Sequence, residues 1–407
     1  MSQYQTSNLF EPDVEETPCQ HIIRVAFESA ADTEFDYAVP DNIWPVDVGQ
    51  RVEAPFGKKN KLQTGFCVEL IEKKQIAERK FKLKKVAKVV DKQPLVDAEL
   101  MELARWISDY YVCPLGQVLA AIVPAAVKRG AGVKTQTYIY LTLKDSDIDK
   151  TITELRGKKQ KLIVTYLREQ KAFDKDSAIE LQDLLKTIDC GKEPVKRLTE
   201  KRIVKISQKT IFKSLPAIPN EMAKKTPERI VLNRDQQNAL ASIKEKIDSG
   251  AFGVTLLYGV TDSGKTELYI RAIQAVLKKG KSAVVLLPEI ALTAQTVQRF
   301  SERFERIAVM HSGLTAAQRN VQWQKIKSSR ADVVIGARSA VFAPLTNLGL
   351  IVVDEEHESS YKQDTAPRYH GRDVAIKRAQ LAGAQALILP KHEIGLCSLS
   401  TLQKQLH

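Results

Sequence analysis

Gly259-Val260-Thr261-Asp262-Ser263-Gly264-Lys265-Thr266 has the spacing G-x-x-x-x-G-K-T. Glycines at those positions let backbone N–H groups wrap a phosphate, and a helix that starts there adds a partial positive charge. In such a loop Lys265 meets the β- and γ-phosphates, and Thr266 holds Mg²⁺. Further on, Asp354-Glu355-Glu356-His357 follows the apolar run Leu350-Ile351-Val352-Val353. A carboxylate at the end of a buried strand can hold Mg²⁺ opposite Thr266, and Glu355 beside it can polarise an attacking water. His357 either couples nucleotide state to the neighbouring loop or is a satisfied structural histidine. The chemistry implied is nucleotide binding with ATP and Mg²⁺. The plain alternative for the first motif is a glycine turn that only joins a strand to a helix.

The elements that must position these residues can be read from periodicity. Gly253 to Tyr258 is an apolar strand, and a helix from about Gly264 to Lys279 ends at the C-cap signal Gly280. Strands at Ala283–Leu287, Ile307–Met310, Asp332–Ile335 and Leu350–Val353 alternate with helices at about Thr293–Phe304 and Ala316–Ser328. That alternation predicts a parallel sheet with helices on both faces, with polar clusters at the carboxyl ends of the strands. Ahead of it, His21–Phe27, Phe35–Val39, Gln50–Ala54, Thr64–Ile71 and Lys85–Val90 read as strands of a small curved β domain. Its basic stretches, Lys58-Lys59-Asn60-Lys61 and Lys80 to Lys88, serve phosphate contact or a solubilising surface equally well. Asp97–Tyr111 and Gln117–Ala126 have helical spacing, and Tyr138–Leu143 reads as a strand. Helices at Lys158–Gln170, Ala178–Ile188 and Glu193–Lys201, followed by the strand Ile203–Ile206, outline a winged helix, either for DNA or for packing alone.

The chain has 407 residues, a formal net charge of +13 and 43% hydrophobic residues, enough for several cores and basic enough to favour a polyanion partner, with nucleic acid ahead of membrane. The five cysteines are scattered without a C-x-x-C pair, which suggests neither a zinc site nor a disulfide framework, and a cytoplasmic setting is expected. Residues 1–20 are polar and acidic and read as a flexible tail.

At the level of motifs the chain resembles the PriA family of primosomal replication-restart DNA helicases, which belong to helicase superfamily 2. The text that carries the resemblance is Gly259-Val260-Thr261 with Ser263-Gly264-Lys265-Thr266-Glu267, then Pro288-Glu289-Ile290-Ala291-Leu292-Thr293 and His311-Ser312-Gly313-Leu314. Arg338-Ser339-Ala340-Val341-Phe342-Ala343-Pro344 and the DEEH box Asp354–His357 follow. Ser360-Tyr361-Lys362-Gln363 with Arg368-Tyr369-His370 and Arg372-Asp373 complete it. The resemblance implies an ATP-dependent 3′-to-5′ DNA helicase that recognises stalled or D-loop forks and restarts replication. Its implied partners are branched and single-stranded DNA, primosome proteins and single-strand-binding proteins, with no membrane. It implies that Gln236 reads adenine; that Phe35, Asp36, Tyr37, Gly57 and Lys84 bind the 3′ end of a nascent strand; and that Arg338, Tyr361, Lys362, Arg368 and Tyr369 meet DNA. Ring stacking in the core is the ordinary alternative for Phe35 and Tyr37.

The fold class expected is therefore multidomain α+β and α/β. A 3′-end-binding β domain (21–115) precedes a winged-helix-like domain (116–210), a linker (211–228) and a RecA-like helicase lobe (229–389). Two departures from the family pattern stand out. Asp262 occupies a loop position where the family more often has glycine, and puts a carboxylate near phosphates. After Ala386-Leu387-Ile388-Leu389 the expected Gly-Ser-Ala-Thr-Pro is replaced by Pro390-Lys391-His392, and 390–407 reads as an aberrant tail. On this text the second helicase lobe and the family's zinc-binding cysteines are absent, so no zinc is expected, and a non-unwinding ATP- and branched-DNA-binding fragment is the alternative function.

Overall fold

The computed structural model describes residues 21–28, 33–71, 83–130, 133–143, 145–212, 230–259 and 263–390. The expected N-terminal tail, most of the expected linker, all but Pro390 of the expected aberrant tail, and Val260, Thr261 and Asp262 of the P-loop lie outside the described residues. The chain divides into two compact units, Met1–Lys128 with Met222–Leu314 and Gln322–His407, and Arg129–Glu221 with Thr315–Val321.

In the first unit, β1 (His21–Phe27), β2 (Phe35–Val39), β3 (Arg51–Phe56), β4 (Lys61–Ile71) and β5 (Lys88–Val89) form an antiparallel sheet in the order β2-β1-β4-β3-β5. Strand alternation sends Ile23, Val25 and Phe27 into one core with Tyr37, Val39, Val52 and Ala54. The opposite face, with Ala26, Phe66 and Val68, is covered by α1 (Ala98–Tyr110) and α2 (Leu115–Ile122). Asp97 caps α1 by accepting from Leu100 N–H at 2.8 Å, and Leu100, Leu103, Ala104 and Ile107 are its buried face, as the spacing predicts. Gly116 lets α2 lie directly on β1, since a Cβ there would sit 1.7 Å from the Phe27 carbonyl oxygen. This helix and the short α3 (Ala125–Lys128) pack with the β sheet, which corrects the expected start of the winged-helix-like domain at residue 116.

The second unit contains β6 (Val133–Leu141), α4 (Asp145–Glu154), α5 (Lys158–Glu169), β7 (Ile179–Glu180), α6 (Leu181–Thr187), α7 (Glu193–Glu200) and β8 (Val204–Phe212). The sheet order is β7-β6-β8, with a long antiparallel ladder from Val133↔Phe212 to Leu141↔Val204. Four helices, α4 to α7, accompany this ribbon. The predicted helix over Ala178–Ile188 begins only at Leu181, because Ile179 and Glu180 pair with Ile139 and Tyr138.

The rest of the first unit is a parallel sheet with helices on both faces: α8 (Arg234–Ser249), β9 (Gly253–Leu256), α9 (Lys265–Lys278), β10 (Ser282–Leu286), α10 (Ala294–Ser301), β11 (Ile307–Met310), α11 (Ala316–Lys327, crossed by the unit boundary), β12 (Val333–Gly336), β13 (Leu348–Val353), α12 (Gly371–Leu381) and β14 (Gln385–Ile388). Its order is β11-β12-β10-β13-β14-β9. Strands β10, β12, β13 and β14 are buried at every residue, which explains their unbroken apolar text. Among the described residues no helix is long and apolar enough to cross a membrane.

One backbone feature is costly. Val112, just past α1, has φ +49° and is 90% exposed. The turn is held by Cys113 N–H on the Ser108 carbonyl at 3.0 Å and by the Ser108 hydroxyl on the Cys113 carbonyl at 2.6 Å. A β-branched residue in the left-handed region costs about 1–3 kcal/mol. Val112→Gly is expected to raise unfolding stability by about 1 kcal/mol after the added chain entropy of glycine is subtracted, as measured by urea denaturation.

Candidate functional site

The P-loop begins where β9 leaves the sheet and ends on α9. Gly264 caps α9 with φ +79°, a backbone angle that favours glycine, and a Cβ there would lie 2.7 Å from Gln236 Nε2. A Cβ on Gly259 would lie 2.6 Å from Ser263 Oγ. The Lys265 ammonium donates to the Gly259 carbonyl across the mouth of the loop. Gln236 sits in a capping box at the start of α8: its Oε1 accepts from Asn233 N–H at 2.9 Å, and Asn233 Oδ1 accepts from Gln236 N–H at 2.8 Å. Its Nε2 donates to the Ser263 carbonyl at 2.9 Å, so it braces the P-loop.

Asp354 lies at the carboxyl end of β13. Its Oδ2 accepts from the Tyr269 hydroxyl at 3.1 Å and its Oδ1 from Glu355 N–H at 3.0 Å. Tyr269 is buried and lies on α9, one turn after Thr266. One phenol thus ties the helix that carries Thr266 to Asp354. Burial pushes the Asp354 carboxyl up; hydrogen bonds from Tyr269 and Glu355 N–H, and the charge of Lys265, act against that. A buried, under-compensated carboxylate beside a hydroxyl suits a hard divalent cation, so the donor set fits Mg²⁺. Glu355 is exposed and takes φ +47°, a strained turn that sets its side chain off the strand axis.

The DEEH turn is tied outward. Glu356 Oε2 accepts from Arg372 Nη1 at 3.0 Å, and Arg372 Nε donates to Asp373 Oδ1 at 3.0 Å. His357 Nε2 lies 3.6 Å from Glu358 Oε1. The Tyr361 hydroxyl donates to the Asp354 carbonyl at 2.7 Å. Arg338 donates to the Ser360 carbonyl at 3.1 Å and to the Lys362 carbonyl, with its guanidinium 5.6 Å from the Tyr369 ring centroid. Tyr361 and Tyr369 are each 1% exposed, which corrects their expected contact with DNA: packing against the lobe leaves neither ring open to a base. Burial raises both phenols, Tyr369 to about 12, so both stay protonated at neutral pH. Lys362 and Arg368 are exposed.

The end-binding residues of the β domain separate in the same way. Phe35 is 36% exposed and meets Phe56 edge-on at 5.3 Å. Next to it in sequence, Gly57 accepts at its carbonyl from Lys84 Nζ at 2.9 Å. Tyr37 is instead a core residue, 3% exposed, with its hydroxyl on the Pro55 carbonyl at 2.9 Å, which corrects its expected stacking role. Asp36 Oδ1 accepts from Arg24 Nε at 3.0 Å, so its charge is already matched.

Family profiles match in two places: the 3′DNA-binding domain of PriA at residues 24–124 and the DEAD/DEAH box helicase at residues 233–384. The Replication restart protein PriA of Bacillus subtilis is 35% identical over 86% of this chain and 50% of its own length; that of Haemophilus influenzae is 36% identical over 90% and 48%. The chain is a PriA-family homologue. It spans about half the length of the curated relatives it matches. Among solved structures, the Pyrococcus furiosus Hef helicase domain is similar over 43% of this chain and 37% of its own, with 20% identity and a TM-score of 0.30.

Two functional positions in this PriA homologue escaped sequence reasoning. Tyr269 lies three residues after Thr266 and four after Lys265 on one helix face, a spacing that held the signal. Glu267, 3% exposed, accepts from Arg271 at 2.8 Å and Arg303 at 2.9 Å, locking α9 to the segment after α10. Burial pushes Glu267 up, but hydrogen bonds from the two guanidiniums outweigh it and hold the carboxyl below its ordinary range.

The two carboxylates predict opposite pH behaviour. Asp354, raised in the folded state, favours folding most at low pH and loses that contribution as pH rises through its elevated value. Asp354→Asn is expected to raise Tm by about 2 °C at pH 7, with the gain vanishing near pH 4. Glu267 contributes stability above the ordinary carboxylate range and loses it as pH falls through its depressed value. Glu267→Gln is expected to cost about 2 kcal/mol at pH 7 and to converge on the parent in acid. Thermal melts across pH check both.

Proposed function

We propose that these residues form an ATP- and branched-DNA-binding unit of a replication-restart helicase. Lys265 meets the β- and γ-phosphates, Thr266 and Asp354 hold Mg²⁺, and Glu355 orients the attacking water; bound Mg²⁺ would neutralise charge on the phosphates. The P-loop residues Gly259 to Thr266 supply the phosphate cradle, and Gln236, which braces it through the Ser263 carbonyl, reads the adenine. The observation that carries this reading is the hydrogen bond from the Tyr269 hydroxyl, on the helix that the P-loop opens, to Asp354, because it links two motifs far apart in sequence.

For DNA, support comes from the match to a 3′DNA-binding domain and from the grouping of Phe35, Phe56, Gly57 and Lys84, an aromatic rim with a cation suited to a terminal base and its phosphate. Arg338 acts by shaping the 360–370 loop, Lys362 and Arg368 by meeting the strand, and His357 by relaying nucleotide state. The proposed domain division keeps 229–389 as the ATP-binding lobe and a winged-helix-like domain before it, but extends the β domain to Lys128, because α2 and α3 pack with its sheet.

For a protein of full family length the proposed activity is ATP-driven 3′-to-5′ unwinding at stalled or D-loop forks in the cytoplasm, with primosome and single-strand-binding proteins as partners. The 407 residues considered alone are proposed to bind without unwinding, since a second lobe supplies the trans arginine worth about 10³–10⁵ in rate in comparable NTPases.

Lys265→Ala is expected to abolish binding of a fluorescent ATP analogue while leaving oligonucleotide binding intact. Unchanged nucleotide affinity would remove the site. DNA-stimulated ATPase of the purified chain is expected near background, and vigorous turnover would favour the complete helicase reading for these residues.

A further inference from the structure

The C-terminal turn of α1 carries aromatic surface that neither the nucleotide site nor the end-binding rim uses. Trp106 and Tyr110, one helical turn apart, are stacked with centroids 4.8 Å apart and 20° between planes. Tyr111 meets them edge-on at 6.2 and 4.9 Å and holds the pair in place. Tyr110 is 48% exposed, and Val112 stands beside it in its strained turn. Trp106 and Tyr111 are half-buried against the core, and Tyr110 is the ring left exposed. Lys377 Nζ lies 5.8 Å from the Trp106 ring centroid, and Lys362 Nζ lies 5.8 Å from that of Tyr111. Glu102 and Asp109 are exposed on the same helix, so the patch is not a general basic track. Tyr110 offers an exposed ring, with a cation near each of the two rings that hold it.

One ligand class fits that surface. A base in a single strand has an exposed π face, and a phosphate lies next to it; a duplex hides the face. We infer that Trp106 and Tyr110 form a stacking platform for an unpaired base of single-stranded DNA, with Lys362 and Lys377 meeting the flanking phosphates. This rests on the DNA-binding reading above and adds a second contact, apart from the Phe35 rim. The platform also adjoins the DEEH turn. The Tyr111 hydroxyl accepts from His370 N–H at 3.1 Å and lies 3.5 Å from Asp373 Oδ2, and Asp373 binds the arginine that holds Glu356. A base on the platform therefore rests against the loop that leads to Asp354.

The test uses the full chain, labelled oligo(dT) and a blunt-ended hairpin duplex. Tyr110→Ala and Trp106→Ala are each expected to weaken oligo(dT) binding about tenfold and to change duplex binding less than twofold. Tyr110→Phe is expected to match the parent, and Tyr110→Leu to behave like the alanine variant. In a Trp44→Phe background oligo(dT) should quench tryptophan emission, since Trp323 is fully buried and Trp106 is the remaining reporter. Unchanged oligo(dT) affinity in both alanine variants overturns the platform. So does parental affinity in Tyr110→Leu, which would make the patch an apolar protein-docking face, or an equal loss on duplex. If either alanine variant fails to fold, the Phe and Leu pair decides. Failure of the parent chain to bind oligo(dT) would overturn the DNA-binding reading itself, and the platform with it.

Discussion

The site depends on one strand. β9, which delivers the P-loop, is at the edge of the parallel sheet, and its sheet neighbour is β14. Just past their ladder, Leu257 N–H donates to the Ile388 carbonyl at 2.9 Å. One residue further along β14's exit, the Leu389 carbonyl accepts from Glu356 N–H at 3.1 Å, and Leu389 N–H donates to the Val353 carbonyl at 2.9 Å. The P-loop and the DEEH turn thus hang from opposite sides of the same strand end. At the other end Gln385 donates its amide to the Lys246 carbonyl at 3.2 Å and to the Ala251 carbonyl, fixing where β9 begins. The separation of Lys265 from Asp354 is set by this ladder before any side chain between them acts.

From there the polar groups form a continuous frame. Tyr269 joins α9 to Asp354, Tyr361 fixes the Asp354 backbone, and Arg338 gathers the loop that carries Tyr361. A single hydrogen bond of this kind contributes only about 1 kcal/mol net. Leaving its buried partner unsatisfied costs more, which gives the frame its stiffness. The same logic extends to α1, where Glu99 accepts from the fully buried Arg378 at 3.3 Å while Arg378 donates to the Ala343 carbonyl at 2.8 Å. The β domain and the ATP-binding lobe therefore share a polar seam as well as an apolar one.

Much of this was legible in the sequence, for identifiable reasons. The P-loop and the DEEH box follow apolar runs that can only be buried strands, so their position at strand ends was available from text alone. Asp97 and Thr293 announce helix starts and are found as caps. The burial of Tyr37, Tyr361 and Tyr369 was not legible, because an aromatic residue in a strand or loop reads the same whether its ring faces a base or a core. Nor was the partner of α2: amphipathic spacing shows that a face is buried, not against what, and only the closeness of Gly116 to Phe27 reveals it. Tyr269 was missed because its role comes from proximity to a residue on another strand.

The central claim is that Thr266 and Asp354 are halves of one Mg²⁺–nucleotide site. The most direct test is the affinity of a non-hydrolysable ATP analogue with Mg²⁺ present and with Mg²⁺ chelated, on the parent chain and on Asp354→Asn. The account predicts that chelation weakens binding to the parent and leaves the already weakened variant unchanged. Parent affinity indifferent to Mg²⁺, or equal Mg²⁺ dependence in both proteins, would contradict it.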